Sequence, residues 1–447
     1  MHTLFGAVLA GAGAFIITVA LAAQGDSPGP SRAASPSGDP PASPTFTRDV
    51  APILYKNCVT CHRPGEIAPM SLITYADVRP WARGIRQAVA EGVMPPWHAD
   101  APAGTFENER GLTDLDKDVI ARWVAGGAPQ GHPGDLPPAP RFPEGWRIGT
   151  PDAVFEMQEE YPVPASGTIE YEYFYIPTNF TEAKWLQAIE VRPGNRALVH
   201  HVLTFYEAPP EGPRMAPVLE FVPEHSKVPP RNPGSRAPRK PIGPSRIVAT
   251  YAPGTDPQVF RPGTALRLAP GGVLKLQMHY TANGTAGTDR TQVGMIFAKE
   301  PPQHEVRAGQ FLNAAFSIPP GAPSHQVDTE VGFLQDVTLW GIFPHTHVRG
   351  KRWDYKVAMP DGTVKPLLSV PTYDFNWQTY YMFTDPISLP AGARILASAW
   401  YDNSDRNPSN PDPKAEVKWG DQTWEEMQYT GILYTVKNPQ PATSIQP

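Results

Sequence analysis

Cysteine is almost missing from this chain: 447 residues contain two, Cys58 and Cys61. So close together, they cannot form the framework of a disulfide-stapled scaffold, and stability must come from core burial. Charge is sparse too. Asp, Glu, Lys and Arg make up 18% of the residues and the net charge is −6, which leaves no basic footprint for nucleic acid. Long helical patterns are few after residue 130, and no repeat of roughly 20–50 residues is evident. Proline, by contrast, is abundant at 56 residues. Many prolines with little helical periodicity predict β-rich domains joined by stiff loops. The length exceeds one ordinary core, so about two to four domains are expected.

The one long apolar run is "MHTLFGAVLAGAGAFIITVALAA", residues 1–23. It carries no full side-chain charge and ends on Ala20-Leu21-Ala22, a small-residue site of the kind that closes an export signal. It is also long enough to stay as an N-terminal membrane anchor. Under either reading the body is exported, periplasmic or secreted. Residues 24–44 are too polar and proline-rich to bury a core and are expected to be a disordered tether. A second proline-rich stretch, 129–144, reads as a hinge. Period-2 alternation in "GTIEYEYFYIPT" predicts a strand near the start of the first β domain, and "QFLNAAFSIPPGA" is the expected start of a second.

The two cysteines stand in "NCVTCHRPG", where Cys58, Cys61 and His62 form the C-x-x-C-H pattern of covalent haem c attachment. Two thiols add to the haem vinyls, and the adjacent imidazole takes a position on the iron. A redox C-x-x-C is the alternative. "FTRDVAPILYKN" before the motif reads as a short amphipathic helix. "LTDLDKDVIARWVAGGAPQG" reads as a closing helix with Thr113 as its cap and Asp114 and Asp116 in its first turn. Met94, Met70 and His98 are rival second axial ligands. Residues 45–135 resemble a small all-α class I cytochrome c domain. A Met-Pro-Pro loop before the last helix is common in that family, so the resemblance favours Met94.

Five of the twelve histidines fall in strand-like runs after residue 190: His200 and His201 in "NRALVHHVLTFYEA", His279 in "GGVLKLQMHYTANG", and His345 and His347 in "GIFPHTHVRG". Residues i and i+2 of a strand share a face, so His345 and His347 aim at one point. His200 and His201 face opposite ways on a regular strand and need a bulge or a strand end to converge. His225, His304 and His325 read as loop residues. Met427 enters a final strand, "MQYTGILYTV", either as core filler or as a soft ligand. Imidazoles suit copper or zinc, and a thioether tips the preference towards copper.

His-His, a strand His-Tyr, His-x-His and a late Met, in that order, resemble the copper type II, ascorbate-dependent monooxygenases, the family of peptidylglycine α-hydroxylating and dopamine β-monooxygenases. The likeness covers roughly residues 150–440. It implies two all-β, jelly-roll-like sandwiches, over 136–305 and 306–440, facing each other across a solvent-filled cleft. His200, His201 and His279 match the ligands of an electron-storing copper, and His345, His347 and Met427 those of the copper where O2 reacts. The implied activity is hydroxylation of a C–H bond of an organic substrate, with electrons from an ascorbate-like reductant or another cytochrome. Peptide-amidating members carry an arginine two residues before the His-x-His; Phe343 stands there, so a C-terminal glycine peptide is not supported as substrate. The haem would feed electrons to the copper sites. The alternatives are a non-catalytic copper and haem electron-transfer protein on the same fold, and a cytochrome-tethered sandwich that binds a polymer. The proline-rich stretch 206–244 reads as a surface insertion.

Overall fold

The structure is a computed structural model that describes residues 43–438 apart from Gly65, Ile67 and residues 143–144, 211–215 and 228–244. The expected export signal and residues 24–42 of the tether lie outside the described residues. Among the described residues no helix is long and apolar enough to cross a membrane. Strand makes up 38% and helix 12% of the chain, so the proline-rich, helix-poor composition yields a mostly β molecule.

Helix is concentrated near the N-terminal end. A π-helical turn, Phe46–Val50, runs straight into the helix Ala51–Asn57. The helix Ala82–Ala90 buries Ala82, Ile85 and Val89, a spacing of three and four that puts them on one face. The helix Asp114–Ala125 opens with a capping box: Thr113 Oγ1 accepts from the Asp116 N–H, and the Asp116 carboxylate accepts from the Thr113 N–H. Two orphan backbone donors are satisfied there by side chains the sequence supplies. Leu54, Val59, Leu72, Ile120 and Trp123 form the core between these helices.

The rest is built from three main sheets. The largest has nine strands, in the order Ala153–Glu156, Gln292–Phe297, Lys184–Arg192, Thr264–Leu268, His304–Leu312, Tyr429–Val436, Val337–His345 and Tyr381–Leu389, with Gln258–Val259 paired to Lys184–Arg192 off that path. The four-stranded sheet of Glu172–Pro177, Val273–Tyr280, Val199–Glu207 and Ser245–Tyr251 packs on its first half around Leu186, Ile189, Leu274, Leu276 and Met278. A five-stranded sheet packs on its second half around Val331, Leu339, Trp353, Ile395 and Ile432. The halves are stitched in the large sheet by parallel pairing of Thr264–Leu268 with His304–Leu312. His304 and His325 begin strands rather than lying in loops. The stretch 206–244 is also more than an insertion. Its strand Leu219–Phe221 pairs with Val331, Gly332 and Phe333 of the second half, covering an otherwise open sheet edge.

The helical end is tied to the β body by a segment that leaves it. Between the helices Ala82–Ala90 and Asp114–Ala125 the chain runs along the strand Tyr381–Leu389: Glu107 N–H donates to Met382 O at 2.8 Å and Thr384 N–H to Thr105 O at 3.0 Å. Asn108 clasps the same strand, donating to Tyr380 O at 2.6 Å and accepting from Met382 N–H at 3.2 Å. Phe106 packs among Trp97, Tyr381 and Phe383. Phe106→Ala should therefore cost about 3–5 kcal/mol of stability in urea unfolding, as for a fully enclosed aromatic; a loss near zero would show that this segment is not integral to the body.

Candidate metal centre

The strand Val273–Tyr280 alternates strictly where it matters. Leu274, Leu276, Met278 and Tyr280 are buried in the sandwich core, which turns His279 to the sheet's other face. His279 pairs with His201, but the next pair is Tyr280 with Val199. His200 is the extra residue of a β-bulge. The bulge rotates it onto the side of its neighbour, so three imidazoles meet where a regular strand would allow two.

They meet through one kind of atom. His200 Nδ1 lies 3.3 Å from His201 Nδ1 and 3.1 Å from His279 Nδ1, and the three side chains can offer ligand atoms all within 4.8 Å of one another. Nitrogens held about 2.0–2.1 Å from a tetrahedral cation stand about 3.3 Å apart. His200 Nε2 donates to Asn376 Oδ1 at 3.0 Å, which leaves the Nδ1 lone pair turned into the cluster. Burial holds all three imidazoles below their ordinary range, His279 to about 3. They are neutral, the form that binds a metal.

The second set stands at the end of the strand Val337–His345. The His345 and His347 rings are 5.3 Å apart and nearly perpendicular, at 86°. His345 Nδ1 donates to Gln378 Oε1 at 2.6 Å and His347 Nδ1 to Glu425 O at 3.1 Å. Both tautomers therefore present Nε2, and His347 Nε2 is buried with no partner among the described residues. Burial lowers both imidazoles, His345 to about 4. His345 pairs with Tyr429 at the end of the ladder; Met427, two residues before Tyr429, is half-buried, and its carbonyl accepts from the Tyr401 hydroxyl at 2.8 Å. The Glu426 carboxylate accepts from the His347 and Arg349 N–H groups, each at 2.7 Å, and so holds the turn after His347 against the residue before Met427.

Two aromatic rings stand between the sets. Tyr171 is 5.5 Å from His201 and 6.2 Å from His347, legs that bound the two imidazoles at 11.7 Å apart. Phe375 is 5.8 Å from His201 and 6.1 Å from His347. The expected solvent-filled cleft is therefore occupied here by buried aromatic side chains.

The residues that orient the ligands were not evident in the sequence. Phe375, Asn376 and Gln378 belong to the loop "YDFNWQTY", Tyr373 to Tyr380, which has no periodicity or motif. Its nearness to His200 exists only in the fold. Tyr171 lies within the alternating run "GTIEYEYFYIPT" and Glu426 just before Met427, and no local pattern marks either as an orienting residue.

In the helical end, Cys58, Cys61 and His62 share one turn: the Cys61 and His62 N–H groups both donate to Cys58 O, at 3.1 and 3.0 Å. Both thiols are free, and burial pushes the Cys58 thiol up to about 12, so the pair is held as thiols rather than thiolates. His62 is part-buried beside the Met70 backbone, and desolvation holds its imidazole below the ordinary range. Free thiols beside a neutral imidazole fit a haem c. Of the rival axial ligands, Met70 lies in the stretch that pairs back to His62, where the Leu72 N–H donates to His62 O at 2.9 Å. Met94 sits half-buried just past the helix Ala82–Ala90, its N–H on Ala88 O at 3.1 Å. His98 Nε2 is buried with no partner among the described residues, near Asp374.

No protein-family profile matches this chain, and no curated protein does. Among solved structures it is similar to the major capsid protein P2 of bacteriophage PM2, with a TM-score of 0.25 and 9% identity over 64% of this chain and 99% of that one. Allantoicase of Saccharomyces cerevisiae gives 0.18 and 8% over 62% and 80%. The structure of infectious bursal disease virus Gx strain gives 0.19 and 11% over 64% and 73%. Likeness at this level carries no argument about function.

Two outcomes are expected of this centre. Protons compete for the buried nitrogens only near the depressed values of about 4 at His345 and about 3 at His279, so cation affinity should stay level from about pH 8 to about pH 5 before falling. A decline starting at the ordinary imidazole value of about 6.5 would show that the histidines are solvated. Glu426→Ala leaves the backbone N–H groups of His347 and Arg349 without their acceptor and should cost about 2–5 kcal/mol in thermal unfolding.

Proposed function

We propose that the chain is an exported, haem c-containing dicopper monooxygenase that hydroxylates a C–H bond with O2. The observation that carries the reading is the bulge at His200, because it spends strand regularity to bring a third Nδ1 onto one point beside a second pair of imidazoles. His200, His201 and His279 hold one copper; His345, His347 and Met427 hold the other, the thioether favouring copper over zinc. Cys58, Cys61 and His62 carry the haem, with Met94 as its expected axial partner. Bound copper supplies one-electron redox chemistry and reactivity with O2.

The protein's share is orientation and exclusion of water. Asn376 and Gln378 each accept one imidazole N–H, fixing which nitrogen of His200 and His345 faces the metal. Glu426 fixes the backbone of His347. Tyr171 and Phe375 keep bulk water from between the two sets, which strengthens electrostatic interactions inside. The organic substrate would approach the His345 and His347 side, and an ascorbate-like reductant or another cytochrome would supply electrons through the haem.

A second reading is favoured by one specific observation. With Tyr171 and Phe375 filling the gap and His347 fully buried, the same centre suits a non-catalytic copper and haem electron carrier.

Metal analysis with EPR of the oxidised protein and an oxygen electrode separates them. Type II copper at two per chain, one haem and O2 uptake are expected; copper and haem without O2 uptake mark the carrier, and absence of copper overturns both. In the enzyme, His279→Ala should abolish product while copper stays at His345 and His347. Met427→Ile should cost less than about 1.5 kcal/mol of stability yet weaken Cu(I) binding.

A further inference from the structure

The haem motif is not merely tethered to the β body; one of its cysteines is pressed against it. A Cβ built on Gly254 would stand 2.7 Å from Cys61 Sγ and 4.0 Å from the Trp377 ring, which bounds sulfur and indole at 6.7 Å apart. Gly254 has a φ of 81°, so this close approach is one that a residue with a side chain would block on two counts. The contact is clamped on either side. Arg110 and Arg147 both bind Asp256, two residues past Gly254, and Arg110 also donates to Gly254 O. Glu66, four residues past His62, pairs with both Arg63 and Arg196.

Trp377 lies between the two side chains that touch the histidine sets. Asn376 accepts from His200 Nε2 at 3.0 Å, and Gln378 accepts from His345 Nδ1 at 2.6 Å. We infer that Trp377 is the entry point for electrons passing from the Cys61 edge of the haem to the histidine centres, the Asn376 branch leading to His200 and the Gln378 branch to His345. The inference rests on the haem and copper reading above and adds the route. Each transfer would move one electron, taking ferrous haem to ferric and Cu(II) to Cu(I). No bond is made or broken, and the electron that resets the haem comes from an external one-electron reductant. The half-buried indole is placed for a positioning role and touches neither set of ligands directly.

The test uses the full chain, loaded with haem and Cu(II), without O2. A pulse of a photogenerated one-electron donor reduces the haem; its re-oxidation is followed by absorbance, and loss of Cu(II) by EPR. The expected wild-type re-oxidation is first order and independent of protein concentration. Trp377→Leu should slow it at least about tenfold, because orientation at the contact is lost, with haem spectrum and copper content unchanged. Asp256→Asn, which removes the carboxylate that Arg110 and Arg147 share beside Gly254, should slow it as well by loosening the contact of Cys61 with Gly254. Wild-type rates in both variants, with haem and copper in place, overturn the route and leave the haem–copper reading standing. A chain that takes up no haem or no copper overturns both.

Discussion

The pairing of His279 with His201, followed by the skip to Val199, is the constraint on which the rest depends. Burying imidazoles without partners costs free energy. A protein that collects five of them at one junction needs lone pairs that converge on something. The bulge makes three Nδ1 atoms converge, and the end of the strand Val337–His345 sets two more imidazoles 5.3 Å apart, each with its Nδ1 hydrogen-bonded. Desolvation then keeps every one of these rings neutral. The same burial that makes the cluster expensive keeps it in the form in which it can hold a cation.

The loop from Tyr373 to Tyr380 ties that centre together. It comes from the second half of the molecule, yet Asn376 reaches His200 of the first half and Gln378 reaches His345 of its own. Phe375 lies against both sets, and the Tyr373 hydroxyl bonds the backbone of Thr346, between the two histidines of the His-x-His. A shared nine-stranded sheet fixes the halves beneath this loop, so the relative position of the two histidine sets is set by backbone pairing as well as by side chains. The segment from Trp97 to Arg110 adds a third body by the same means, lending its backbone to the edge strand Tyr381–Leu389.

Much of this was legible in one dimension. Thr113 and Asp116 sit three apart and form a capping box because the geometry is local. The spacing of His345 and His347 predicts a shared direction from strand periodicity alone, and the adjacency of His200 and His201 calls for a bulge or a strand end, of which the fold uses the bulge. The loop residues Asn376 and Gln378, the wedge of Tyr171 and Phe375, and the strand Leu219–Phe221 inside a proline-rich stretch were not legible. Their roles come from partners more than a hundred residues away in several cases, and no local periodicity encodes such a pairing.

What the sequence by itself determined is chemistry and local geometry: two adjacent thiols with a histidine, strand-borne imidazoles, a late thioether, and a composition that can build little but β structure. Those follow from side-chain type and from repeats of two or of three to four residues. Only the tertiary structure decided that the two histidine sets lie within one bounded distance, that buried aromatic rings touch both of them, and that Cys61 rests on Gly254. Such decisions depend on long-range strand register and on close packing, in which each contact is fixed by chain that the neighbouring residues do not specify.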